Sequence, residues 1–112
     1  KMKAFYIALL AVSGVVMSGT AHADAALAQA KGCLACHDVA ANKLGPAYKE
    51  VAKKYAGKKD AEATVANNIQ KGTGAGLGWQ KAGKASMPMM PANAGVTADE
   101  AKKLAKWILA TK

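Results

Sequence analysis

The sequence predicts an all-α single domain. Apolar residues recur at intervals of three and four in several stretches, glycine and proline punctuate the gaps, and no segment alternates apolar and polar residues as a half-buried strand does. The last periodic stretch also opens on a capping-box pattern, Thr97-Ala98-Asp99-Glu100, a local signal of a helix start.

Ahead of that domain stands a segment of different character. Lys1 and Lys3 make a short positive region around Met2, and Ala4 to Met17 carries no charge. Small residues then lead to Ala21-His22-Ala23, just before Asp24. This is the three-part layout of a secretory signal peptide. A retained membrane anchor is the competing reading. It is disfavoured because the run contains Ser13 and Gly14 and falls short of the ~20 residues that span a bilayer. The expectation is a cleaved signal peptide over 1–23, a mature domain over 24–112, export to the periplasm, and no stable membrane insertion after cleavage.

The elements follow in order. Ala25 to Lys31 has helical propensity, and Gly32 lets the backbone turn or another helix approach. Ala40 to Pro46 reads as a loop closed by Gly45-Pro46. Ala47 to Tyr55 places Tyr48, Val51, Ala52 and Tyr55 on one helical face, and Gly57 stops it. Asp60 to Lys71 repeats the pattern through Ala61, Val65, Ala66 and Ile69, with Asp60 suited to the N-cap. Gly72 to Ser86 is a long glycine-rich loop carrying Trp79. Met87 to Asn93 (MPMMPAN) is barred from regular helix by Pro88 and Pro91. The last helix sets Ala101, Leu104, Ala105, Ile108 and Leu109 on one face.

Composition narrows the function. Without Lys1 and Lys3 the mature 89 residues hold 14 lysines against 7 acids, a net charge of +7, and no arginine at all. Readers of nucleic acid lean on the guanidinium fork, so its absence argues against that class. A diffuse lysine surface suits steering toward acidic proteins, although part of it serves only solubility. The mature chain has four aromatic residues, Tyr48, Tyr55, Trp79 and Trp107. A domain this short is hard pressed to build a sufficient core from its own side chains, which points to a bound prosthetic group.

The chemistry sits in Cys33-Leu34-Ala35-Cys36-His37. Two thiols three positions apart on a helical turn can meet the two vinyl groups of one porphyrin, and the next residue, His37, can supply an imidazole nitrogen to the iron. C-x-x-C-H is accordingly the attachment pattern of c-type haem. Three other uses of the cysteines stay open beside it. A thioredoxin-like redox pair needs a βαβ context. A zinc site needs a fourth ligand, and the only other histidine, His22, leaves with the signal segment. A plain disulfide would close a very small loop and leave the thin core unexplained.

Over essentially the whole mature chain the sequence resembles a class I cytochrome c of the short bacterial mono-haem kind. The shared features are a helix running into C-x-x-C-H, a Gly-Pro, a Met-rich loop and a C-terminal Lys-Trp-Ile-Leu helix. The resemblance implies a small cytochrome c fold with about four helices wrapped around one covalent haem c held by Cys33 and Cys36. It also implies His37 as one axial ligand and a Met sulfur as the other, consistent with Met being the soft ligand type left. Met90 is favoured because Met90-Pro91-Ala92-Asn93 matches M-P-x-N and runs without a gap into Val96-Thr97. Met89, preceded by Pro88, is the alternative, and Met87 a distant third; the non-ligands are expected to pack the haem edge.

Further roles are implied by the same resemblance. Asn93 would hydrogen-bond the ligand sulfur. The Pro46 carbonyl would accept a bond from the axial imidazole. Trp79 would contact a haem propionate, a role set against core packing because Gln80 to Ser86 is an insertion relative to the shortest relatives. The implied activity is reversible one-electron exchange by a non-enzymatic monomer. Acidic redox proteins are the expected partners: a quinol-oxidising complex as donor, and an oxidase, nitrite reductase or peroxidase as acceptor. An iron with an open sixth position would instead make the protein a gas sensor or an enzyme. A tightly held subunit of a larger complex is the third possibility.

Overall fold

The computed structural model describes residues 23–112. The segment read as a signal peptide lies outside the described residues, apart from its last residue, Ala23. Four helices and one 3-10 turn make up the fold. They are α1 (23–30), the turn Cys33–Ala35, α2 (Tyr48–Tyr55), α3 (Ala61–Lys71) and α4 (Ala98–Leu109). There is no strand among the described residues. No helix among them is long and apolar enough to cross a membrane. The expected all-α architecture is the observed one.

Helix α4 is the hub, packing on both α3 and α2. Its start is set by the capping box: Thr97 Oγ1 accepts the Glu100 N–H at 3.2 Å, and the Glu100 carboxylate accepts the Thr97 N–H at 3.0 Å. Ala101, Leu104 and Ala105 are 0 % exposed, so the small residues between the larger ones let neighbouring helices approach closely. Val65, Ala66 and Ile69 of α3, Val51 and Tyr55 of α2, and Ala28 of α1 complete one core.

Two expectations are refined. Asp60 stands at the start of α3, but its side chain makes no capping bond. Its backbone (φ −95°, ψ 12°) is far from the extended geometry that aims an N-cap side chain at the first turn. Gly32, for which a turn or a helix contact was open, serves the turn. It has φ 76°, and nothing lies within 4 Å of where a Cβ would stand.

Between α3 and α4 the chain makes a long excursion over 72–97 without a helix. That segment and the loop between the 3-10 turn and α2 both contribute to the cleft described next.

Candidate haem-binding site

The helices leave an apolar cleft between them. Val51 and Tyr55 of α2, Val65, Asn68 and Ile69 of α3, and Ile108 of α4 line it. The loops add Cys33, His37, Pro46, Thr73, Leu77, Trp79 and Met90.

The 3-10 turn explains how the cysteine motif meets this cleft. The Cys36 and His37 N–H groups both donate to the Cys33 carbonyl, at 3.2 and 3.0 Å, so the five residues wind tightly. Cys33 is buried in the cleft wall, and Cys36 is half-buried beside it; both thiols are free. Burial pushes the Cys33 thiol above its usual range.

His37 is held on three sides. Its Nδ1 lies 2.7 Å from the Pro46 carbonyl oxygen. A carbonyl only accepts, so Nδ1 carries the proton and Nε2 keeps its lone pair for a metal. The Tyr48 ring stacks on the imidazole at 5.2 Å and 21°, and Trp107 meets Tyr48 edge-on at 5.5 Å. On the remaining side Gly45 lies so close that a Cβ there would overlap the ring, reaching 2.8 Å from both nitrogens. Burial lowers the His37 pKa, which favours the neutral imidazole that metals require.

The Met-rich loop approaches from residues 87–93. Met90 is half-buried, packs against the core and lines the cleft. Met87 and Met89 are 40 % and 47 % exposed and border a shallower recess with Leu44, Leu77 and Trp79. Both stand at the surface of the protein. Pro88 forces bends here in place of a helical turn, which leaves the three methionines in unlike surroundings.

Asn93 does not line the cleft. Its amide donates to the Lys31 carbonyl at 2.8 Å, and its oxygen accepts the Gly95 N–H at 3.2 Å. In this structure it ties the Met-rich loop to the end of α1. Trp79 does line the cleft, with the Lys54 ammonium 4.6 Å from its ring centre. The insertion after it folds back on itself, the Lys84 N–H donating to the Trp79 carbonyl at 2.9 Å. It is then pinned by Ser86 and Met87 N–H bonds to the carbonyls of Lys43 and Leu44, at 3.1 and 3.0 Å. With the segment pinned in this way, the indole stays at the cleft.

Four residues at the site escaped the sequence reading. Tyr48 was visible only as a core position, and nothing in the spacing reveals its stack on His37. Gly45 was read as turn punctuation, whereas its lack of a side chain makes room for the imidazole. Thr73 and Gly72 lie in a loop without periodicity, and their contacts with Met90 and Ala92 are long-range.

The competing uses of the cysteines find no support in this geometry. No strand accompanies the pair, and no group of three or more His, Cys, Asp or Glu side chains that could hold a metal occurs among the described residues. A flat apolar group would fit the residues present: Cys33, the His37 imidazole with Nε2 free and the Met90 thioether line one apolar cleft, and Cys36, which does not line it, follows three positions after Cys33.

Comparison with known proteins agrees. The family model for cytochrome c matches residues 23–112. The chain is 52 % identical over 103 residues to cytochrome c-552 of Hydrogenobacter thermophilus, covering 92 % of this chain and 96 % of that protein. It is 41 % identical over 111 residues to cytochrome c-552 of Nitrosomonas europaea, covering 99 % of this chain and 100 % of that one. The crystal structure of wild-type Nitrosomonas europaea cytochrome c552 superposes with a TM-score of 0.68 at 40 % identity, covering 79 % of this chain and 99 % of that one.

Proposed function

The chain belongs to the cytochrome c family, and from that premise we propose that it is a periplasmic electron shuttle whose haem iron is ligated by His37 and Met90. Membership makes it an electron-transfer protein with one haem c attached through Cys33 and Cys36, not an enzyme. The observation that carries the ligand assignment is the contrast within one loop. Met90 lines the cleft that also holds His37, while Met87 and Met89 stand at the surface.

When bound, the haem supplies reversible one-electron exchange between Fe(III) and Fe(II). The protein's part is to hold ligands and keep water away. Pro46 fixes the proton on Nδ1 and so orients Nε2. Tyr48 and Gly45 confine the ring between them. Val51, Val65, Ile69 and Ile108 give the cleft an apolar wall. A neutral Met ligand in such surroundings favours the reduced state over stronger-donor ligation. Trp79 lines the cleft beside Lys54, which supports its reading as a propionate contact.

Lys43, Lys54 and Lys84 stand beside the loops that border the cleft, as hydrogen bonds to Leu34, Leu77 and Glu50 locate them. This supports transient docking with acidic redox proteins: a quinol-oxidising complex as donor, and an oxidase, nitrite reductase or peroxidase as acceptor. The segment over 1–23 supports export with cleavage, and the carrier is expected to act as a monomer.

The test is an optical spectrum of the exported protein, oxidised and reduced, with and without carbon monoxide, for wild type, Met89→Ala and Met90→Ala. The expected result is a covalent c-type haem indifferent to carbon monoxide, with the methionine–iron band lost only in Met90→Ala. Ready carbon monoxide binding by the wild type would mean an open sixth position and a sensor or enzyme.

A further inference from the structure

The segment carrying Met90 has few ways to hold itself in place. Pro88 and Pro91 have no N–H, so two of the five residues from 88 to 92 cannot donate a main-chain hydrogen bond. The flanking N–H groups are anchored elsewhere, Met87 to the Leu44 carbonyl and Asn93 to the Ile69 carbonyl, at 3.0 and 3.1 Å. Between those anchors a single residue supplies the hydrogen bonds. Thr73 Oγ1 accepts the Met90 N–H at 2.9 Å, and the Thr73 N–H donates to the Met90 carbonyl at 3.0 Å. Both main-chain groups of Met90 are thus satisfied by one residue 17 positions earlier.

The residue before Thr73 makes this approach possible. Gly72 has φ 79°, and a Cβ there would stand 2.8 Å from the Met90 carbonyl oxygen and 2.9 Å from the Ala92 nitrogen. Only a chain without a side chain at that point comes this close. Thr73 also lines the cleft, so its hydroxyl acts on Met90 from inside the wall.

We propose that Thr73 is a positioning residue for the sixth ligand: its hydroxyl fixes the Met90 backbone and thereby holds the Met90 sulfur on the iron. This rests on the reading of Met90 as that ligand. The second half of the clamp, the Thr73 N–H, belongs to the main chain and survives any substitution except proline. The hydroxyl half is set by the side chain alone. Removing it strips the Met90 N–H of its acceptor, which costs about the net worth of one hydrogen bond, or roughly a 3- to 10-fold change in an equilibrium that opens the loop. Valine has nearly the shape of threonine and lacks the oxygen; serine keeps the oxygen and lacks the methyl.

The experiment titrates imidazole into the oxidised, haem-loaded protein and follows loss of the methionine–iron band. Wild type, Thr73→Val, Thr73→Ser and Met90→Ala are compared, with Thr73→Ala standing in if the valine variant does not accumulate. The Thr73→Val protein is expected to lose its methionine ligand at roughly 3- to 10-fold lower imidazole concentration, and Thr73→Ser to stay within about twofold of wild type. Equal behaviour of the valine variant and wild type, with Met90→Ala lacking the band, overturns the role of Thr73 and leaves the ligand assignment standing. So does equal weakening by valine and serine, because the methyl group would then be what matters. Retention of the band in Met90→Ala overturns both together.

Discussion

The loop that carries His37 and the loop that carries Met90 meet at one cleft, yet different kinds of contact hold them there. His37 is fixed by near neighbours in sequence. The Pro46 carbonyl is nine residues away, Gly45 lies against the ring, and the Gly45 N–H donates to the Cys36 carbonyl at 2.8 Å, closing the loop on itself. Steric fit and ring stacking dominate. Met90 is fixed by partners 17 residues away in Thr73, and its loop by Asn93 reaching 62 residues back to Lys31. Here individual hydrogen bonds dominate, each worth about 1 kcal/mol net. The difference teaches that the imidazole side is built locally and stiffly, whereas the thioether side depends on the assembled fold. Local opening should therefore begin at residues 87–95, with the amides of Gly45 and Tyr48 exchanging hydrogen more slowly than those of Met90 and Gly95.

The largest expected effect breaks the stiff side. A Gly45→Val side chain has no space beside the imidazole, and relief requires displacing a ring that Pro46 and Tyr48 both hold. A loss of about 3 kcal/mol in urea unfolding is expected, together with poor accumulation of haem-loaded protein. Wild-type stability would show that the His37 loop yields easily and that the contrast is false.

Gly72→Ala makes the matching test on the other side. It combines an unfavourable positive φ with overlap against main-chain atoms of Met90 and Ala92, for a cost of about 2 kcal/mol. Carbon monoxide binding by the reduced protein should appear, while the bulk of the fold persists by circular dichroism. If the variant instead unfolds as a whole, the two loops form one cooperative unit.

Asn93→Ala sharpens the comparison with a smaller cut, removing the ties to Lys31 and Gly95. A loss of about 1 kcal/mol is expected, with faster exchange confined to the Met-rich loop. Faster exchange at Tyr48 as well would argue for long-range coupling through the 3-10 turn.

The smallest effect is one of pH. The Thr97 N–H, and then Lys31 at 3.3 Å, hold the Glu100 carboxyl below its ordinary value of 4.5. A carboxylate with a lowered native pKa stabilises the fold above its ordinary value, and that contribution disappears as pH falls through the lowered one. The urea midpoints of wild type and Glu100→Gln should differ near neutrality and converge at acid pH. Lys31 also donates to the Gly95 carbonyl at 2.9 Å, so the same substitution should loosen the end of the Met-rich loop slightly. A difference that is constant with pH would assign the loss to the capping geometry alone.

Helices α2, α3 and α4 were legible because burial imposes a period on their apolar residues. Tyr48, Val51, Ala52 and Tyr55 on α2 are all buried, as their spacing implied. The capping box of α4 was legible because its two bonds join residues three apart. Asp60 misled because residue type indicates capping ability, while the backbone angles that use it come from the preceding turn. On the site, Cys33, Cys36 and His37 were readable as a contiguous motif, and Pro46 through its position after Gly45. The bond from Asn93 to Lys31 and the solvent contact of Met87 and Met89 were not, since they depend on how distant segments meet.

The sequence by itself determined the helical class, the haem-attachment motif and the residues able to serve as ligands, because each follows from contacts spanning a few positions. Tertiary structure decided what clamps Met90 at the cleft, that Met87 and Met89 stand exposed, and that the segment after Trp79 is pinned to the loop at Lys43. Those outcomes turn on where 72–97 packs against α1, α3 and the loop at Lys43, and the energy of such contacts exists only once chain segments far apart in sequence have been brought together.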